Sequence, residues 1–205
     1  NVFLSPTSLL TVSRGIAYAH NLFAGLLIIH RYDGRMTPYH KAHSTELAGM
    51  HDNPCGDDRY YNNLFIEAAD LTPYENETCL PVFLGGNVYL NGARPSAREA
   101  NPFVLNAPPV PHPELETAQD GTVSLRYTLP EAGLTPRSRP LVTTDMLGRA
   151  LVPGLPYEQP DGTPYRLDRD MTGVPRPEEN PTPGPFQLDG PGPVVRKVWV
   201  PAASR

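Results

Sequence analysis

Lysine is nearly missing from this 205-residue sequence: Lys41 and Lys197 are the only two. The arginines are scattered, the formal net charge is -5 and the pI is near 5.7. No basic cluster is therefore present to neutralise a row of phosphates, which argues against nucleic acid as a partner. Long apolar runs are lacking too. The longest, Leu22 to Ile29, falls far short of the ~20 residues that a membrane-spanning helix needs, so no membrane partner is expected. Two cysteines, Cys55 and Cys79, are too few for a disulfide scaffold and leave the redox compartment open. There is no initiator methionine and no signal-like start, so localisation cannot be read from the sequence. Asn76-Glu77-Thr78 has the form of a glycosylation sequon, a pattern short enough to arise by chance.

What is abundant is proline, 26 residues, of which twenty lie beyond residue 100. Long helices are excluded from that half. The chain is expected to divide into a proline-poor part, 1–95, and a proline-rich part, 96–205, with "NAPPVPHPELE" (Asn106 to Glu116) at the joint.

The proline-poor part repeats a phrase: "NVFLSP" at Asn1, "NLFAGL" at Asn21, "NLFIEA" at Asn63 and "NVYLNG" at Asn87. The gaps are 20, 42 and 24 residues, the middle one reading as a copy replaced by a loop. A period of about 20–25 residues points to stacked coils of short strands. Stacked asparagines can hydrogen-bond as a ladder while Phe and Tyr rings pile up inside. The expected fold is all-β, a parallel β-helix; an antiparallel sandwich is the alternative. A coil stack needs a cap at each end, and this chain opens on a strand in mid-coil, so it is expected to be the C-terminal piece of a longer protein. Cys55 and Cys79 are 24 residues apart, about one coil, which allows them to stack. Two buried thiols are expected, with a disulfide as the alternative.

Between the second and third copies lies a polar insert, placed at residues 30–62, with four of the six histidines. Chemically rich loops on a rigid scaffold are where binding and catalysis concentrate. His40 and His43 with His51, Asp52, Asp57 and Asp58 raise a metal site, but H-x-x-H without a second ligand pair is a weak signal, and no metal or cofactor is expected. Asp33 with Asp57 or Asp58, 24 or 25 residues apart, raises a stacked carboxylate pair. Adjacent strands lie about 4.8 Å apart, close to the 5–5.5 Å that retaining glycosidases use. Tyr39, His40, His43 and Arg59 raise sugar binding without chemistry. The structural alternative is a solvated loop in which Asp57, Asp58 and Arg59 pair with one another.

In the second half, "TVSLRYTLP" (Thr122 to Pro130) alternates with Val123, Leu125, Tyr127 and Leu129 on one face and reads as a half-buried strand. "RPLVTTDMLG" (Arg139 to Gly148) and "PVVRKVWVP" (Pro193 to Pro201) are two further strand candidates, and Trp199 is expected in the core. "GLPYEQPDGTPYRLDRDMTG" from Gly154 is a string of turns. It is expected to lie ordered along the coils or to link strands of a small sandwich.

Five blocks carry a resemblance: "RMTPYHKAHSTELAG" from Arg35, "GDDRYYNNLF" from Gly56, "PVFLGGNVYLNGA" from Pro81, "GLPYEQPDGTPYRLD" from Gly154 and "NPTPGPF" from Asn180. In this order they resemble the C-terminal half of the β-xylosidases of glycoside hydrolase family 120 and their right-handed β-helix relatives. The resemblance implies a right-handed parallel β-helix with an associated β-sandwich, and retaining, exo-acting hydrolysis of β-xylosides and xylo-oligosaccharides. It also implies that the catalytic Asp/Glu pair lies upstream of Asn1, the glutamate about ten residues before it, so that this chain alone is inactive. That counts against Asp33 with Asp57 as the working pair. The residues expected to contact substrate are Tyr39, His40 and His43, followed by Glu46 and Asp58. The alternatives are a non-catalytic carbohydrate-binding or structural β-helix and, third, a polysaccharide lyase, for which arginines such as Arg35 or Arg59 would have to face an acidic sugar. A homo-oligomer is left open.

Overall fold

Three of the four repeated asparagines follow a residue in left-handed backbone conformation: His20 (φ 54°), Asn62 (φ 55°) and Gly86 (φ 68°) stand before Asn21, Asn63 and Asn87. Such a residue turns the chain sharply, and Asn, His and Gly are among those that tolerate it best. The chain therefore bends at the same place on every pass. The computed structural model describes residues 1–135 and 138–201.

The first pass holds β1 (Val2–Phe3), β2 (Thr7–Thr11) and β3 (Ala17–Ala19). The second holds β4 (Leu22–Phe23), β5 (Leu26–Ile29), β6 (Tyr32–His40), β7 (Leu47–Pro54) and β8 (Arg59–Tyr61). The third holds β9 (Leu64–Ile66), a 3-10 turn at Thr72–Glu75 and β10 (Phe83–Gly85). β11 (Val88–Leu90) and β12 (Phe103–Leu105) follow. The passes stack in parallel into a five-stranded sheet, β1-β4-β9-β11-β12, a three-stranded sheet, β3-β8-β10, and a pair, β2-β5. Parallel stacking replaces the antiparallel alternative.

Strand β4 pairs directly with β9, Leu22 opposite Leu64 and Phe23 opposite Phe65. No copy of the repeat is missing from the long middle gap. The surplus residues leave the second pass as an antiparallel hairpin, β6-β7, and return to it.

The asparagines form the expected ladder. Asn1 Nδ2 donates to Asn21 Oδ1, Asn21 Nδ2 to Asn63 Oδ1 and Asn63 Nδ2 to Asn87 Oδ1, each at 3.1 Å. The backbone N–H groups of Asn21 and Asn63 donate to the same oxygens as their side chains, at 2.9 Å. The ladder ends on a carboxylate: Asn87 Nδ2 donates to Glu99 Oε1 at 3.0 Å, and Tyr89 Oη donates to Glu99 Oε2 at 2.5 Å. Beside it runs a column of stacked rings, Phe3, Phe23, Phe65 and Tyr89, at centroid spacings of 4.8, 5.2 and 5.0 Å. Each such pair contributes about 0.5–1.5 kcal/mol beyond its buried area.

Side chains alternate across the five-stranded sheet and so serve two cores. Phe23, Phe65 and Tyr89 point inward, among Leu27, Leu71 and Tyr74. Leu22, Leu64, Ile66, Val88 and Leu90 point outward. That outer face is covered by β14 (Val123–Leu129) and, after the short helices α1 (Glu131–Leu134) and α2 (Thr144–Leu147), β15 (Gly192–Trp199), with the exposed β13 (Glu114–Thr117) on the other side of β14. These three form an antiparallel sheet in the order β13-β14-β15. Leu125, Tyr127 and Leu129 lie on its buried face, as their alternation predicts.

Four expectations are corrected. Cys55 and Cys79 are joined in a disulfide rather than left as thiols, because stacking brings their Cα atoms to 4.8 Å, within bonding range. Arg139–Gly148 is not a strand: Thr143 Oγ1 accepts from the Met146 N–H and caps helix α2, and Gly148 ends it. Trp199 is 55% exposed, because Val194 and Val198 take the inward phase of β15 and leave Trp199 on the outward one. The Asp57–Arg59 pair is internal rather than solvated, with side chains 1% and 3% exposed.

Candidate functional site

The triplet leading into β8 sends its side chains to opposite sides. Asp58 turns inward: Oδ1 accepts from the Ile16 N–H at 3.0 Å, and Oδ2 accepts from Tyr74 Oη at 2.6 Å. The Tyr74 and Tyr60 hydroxyls are 3.0 Å apart. Burial raises the Asp58 carboxyl to about 6.

Asp57 and Arg59 turn outward, against the proline-rich half. Arg59 donates from Nε to the Leu147 carbonyl at 3.0 Å, from Nη2 to the Arg149 carbonyl at 2.7 Å, and from Nη1 to both the carbonyl and the carboxylate of Asp57. Its guanidinium lies between the rings of Phe83 and Tyr157, 4.5 and 4.9 Å from their centroids. Asp57 Oδ2 accepts from the Leu151 N–H at 2.7 Å, and Tyr157 Oη donates to the Gly15 carbonyl at 2.9 Å. Burial pushes the Tyr157 phenol upward. This cluster fixes the turn-rich segment against the coils.

Gly15 closes the junction. Its φ is +70°, and a Cβ there would come within 3.3 Å of both Ala150 Cβ and Asp57 Oδ2. Above it opens a cleft of about 260 Å³ with the β6-β7 hairpin as its far wall. Ser13, Arg14, Thr37, Tyr39, Asn53 and Asp57 supply the polar lining, and Val152 and Pro153 supply apolar surface. A second cleft, of about 470 Å³, adjoins it at Gly15 and is lined by Ile16, Ala17, Ala19, Leu147, Tyr157, Tyr165 and Leu167.

The expected site residues are placed as follows. Tyr39 lines the cleft, its ring lying across the hairpin over Gly49, where a Cβ would come 2.5 Å from Tyr39 Oη. His43, at the hairpin tip, holds Glu158 of the turn-rich segment, Nε2 to Oε1 at 2.8 Å. His40 is exposed beside the tip, its Nδ1 3.1 Å from the Thr45 carbonyl, and Glu46 pairs with Lys41. Asp58 belongs to the interior. Asp33 pairs with Arg35, whose bond holds the carboxyl below its ordinary range, so Asp33 and Asp57 each have their own cation. With Arg35 and Arg59 so engaged, neither presents the free charge a lyase would need. Among the described residues no three His, Cys, Asp or Glu side chains gather as a metal site. Arg14 and Tyr157 carry no local signal in the sequence; only the stacking of passes and the return of the 147–167 segment bring them here.

No protein-family model matches the chain, and no curated protein matches it. Among solved structures it is similar to XylC, solved in complex with xylose, with 29% identity and a TM-score of 0.86. The likeness covers 97% of this chain and 35% of the XylC chain, so this chain spans about a third of that protein's length and resembles part of its fold.

Proposed function

We propose that this chain is the C-terminal part of a retaining β-xyloside hydrolase of the family 120 kind. In this reading residues 1–95 are the last coils of a right-handed parallel β-helix, and residues 96–205 are the β-rich layer packed on it. The observation that carries the reading is the match to XylC with bound xylose over 97% of the chain. With 20 residues from Asn1 to Asn21, a glutamate about ten residues before Asn1 stacks near Thr11, a few residues from Arg14 at the rim of the polar cleft. An aspartate one coil further back lies about 4.8 Å beyond it, close to the retaining separation. Tyr39 and the other cleft residues then serve as the wall of the sugar site, and this chain alone has no turnover.

The test is hydrolysis of aryl β-xylosides by the complete gene product and by this chain. Release of β-xylose by the first, with retention of anomeric configuration, and nothing from the second is the expected result. No hydrolysis of any β-xyloside by the complete product overturns the reading.

A further inference from the structure

Two walls of the polar cleft are fastened very differently. The turn-rich wall is fixed. Asp57 accepts from the Leu151 N–H, Tyr157 Oη donates to the Gly15 carbonyl, and beyond Glu158 the Gln159 N–H donates to the Thr163 carbonyl at 2.8 Å. The hairpin wall is an arm. Strands β6 and β7 form a sheet of their own, paired only with each other, and Met36, Leu47 and Met50 stand exposed along it. A lone two-stranded hairpin is marginal in water, so its position depends on its attachments. At the base they are firm. The Cys55 N–H donates to the Arg31 carbonyl at 2.9 Å, Cys55 is joined to Cys79, and Arg14 donates to the Asp52 carbonyl. At the tip, the one hydrogen bond to the turn-rich wall among the described residues runs between His43 Nε2 and Glu158 Oε1, at 2.8 Å.

A histidine beside a carboxylate is an ion pair when the ring is protonated and a single neutral hydrogen bond when it is not, and histidine changes charge between pH 5 and 8. The charges around this contact favour the protonated form. Asp161 faces His43 from the same turn as Glu158: bonds from Thr163 hold its carboxyl below the ordinary range, and the charge of His43 adds to them. On the hairpin itself Lys41 pairs with Glu46, and His40 lies with its Nδ1 against the Thr45 carbonyl.

We propose that the β6-β7 hairpin is a lid on the polar cleft, hinged at its disulfide-anchored base and latched at its tip by His43 on Glu158, and that protonation of His43 favours the latched state. The structure holds the latch closed. Release leaves the arm attached at its base, and the wall that carries Thr37, Tyr39 and Asn53 swings with it. The inference concerns access to the cleft and holds whatever the cleft binds.

The experiment is a distance measurement by double electron–electron resonance on the complete gene product at pH 5.5 and pH 8. Nitroxides sit on Thr45→Cys at the tip and Glu77→Cys on the third pass. Cys55 and Cys79 are bonded to each other and take no label, and the unsubstituted protein is the labelling control. Exposed ion pairs are weak, so the ratio of the latched distance to longer ones is expected to fall about 1.5- to fivefold from pH 5.5 to pH 8. Glu158→Gln keeps the hydrogen bond without the charge and is expected to give the same ratio at both pH values. His43→Asn tolerates the left-handed backbone at this position (φ 51°) but falls short of Glu158, and is expected to sit largely in the longer distances at both. Thermal melts check that both variants fold. A parent distribution that does not change with pH, a pH response that survives Glu158→Gln, or a tip that stays in place in His43→Asn overturns the proposal.

Discussion

Glu99 ends the asparagine ladder from inside the protein, only 5% exposed, and burial raises its carboxyl from 4.5 to about 7. The bonds from Tyr89 and Asn87 oppose that rise without cancelling it. In the unfolded chain the group loses its proton near 4.5, whereas in the folded protein it keeps it until about 7. Between those values the folded state holds a proton that the unfolded state has released, so stability falls as pH rises through the window and the loss is complete above about 7. At 1.36 kcal/mol per pKa unit the loss is about 3 kcal/mol. Asp58, raised to about 6, adds a loss of the same sign, and His20, held down to about 3 by burial, acts in the opposite direction below 6.5. A single substitution separates Glu99 from both. Glu99→Gln has the shape of the protonated acid: Oε1 still accepts from Asn87, and Nε2 donates to Tyr89 Oη. Urea unfolding followed by far-UV circular dichroism, at half-unit steps from pH 4 to 8, is expected to show the variant gaining about 3 kcal/mol relative to the parent as pH rises. A difference that stays flat within about 0.5 kcal/mol across that range refutes the argument.

Asn63→Ala removes a fully buried rung and strands the N–H and Nδ2 donors of Asn21, at an expected cost of about 2–4 kcal/mol; Asn1→Ala, at the exposed end, is expected to cost under about 1 kcal/mol by the same urea titration. Cys55→Ser with Cys79→Ser opens a cross-link spanning 24 residues and is expected to cost about 3 kcal/mol, reproduced in the parent by a reducing agent and absent if the thiols are unbonded in solution. Arg59→Met leaves Asp57 buried without its cation and is expected to destabilise by about 3–5 kcal/mol, with faster proteolysis between residues 147 and 158 as the second readout.

The coil stack was legible because its signal is one-dimensional. A parallel pass places residues of the same phase above one another, so Asn21, Asn63 and Asn87 align whatever lies between them. The insert's conformation was not legible, since Tyr32 to Pro54 has neither strict alternation nor a two-residue turn; pairing across the hairpin is interrupted by register shifts after Asp33 and Tyr39. Burial of the Asp57–Arg59 pair was hidden for a related reason. Three charged residues in a row read as a solvated turn, and what buries them is the 147–157 segment, about ninety residues away in the chain.

That distance also explains why the cleft could be found only in part. Tyr39 was named from its place in a polar insert, and the hairpin does carry it to the cleft. Its opposite wall comes from Ala150 to Pro153, residues with no chemistry of their own, held there because Asp57 accepts from the Leu151 N–H and Arg59 binds two carbonyls of the same segment. The site residues proper and the residues that assemble the site are therefore different sets. Motif reading is directed at the first, because binding selects side-chain types. The second is chosen for backbone hydrogen bonds across a gap of about ninety residues, and a backbone donor or acceptor leaves no mark in a sequence. Arg14 falls between the two sets: it has the side chain of a site residue, but only the stacking of Arg14 on Gly56 and the fold-back of the proline-rich half bring it to the cleft.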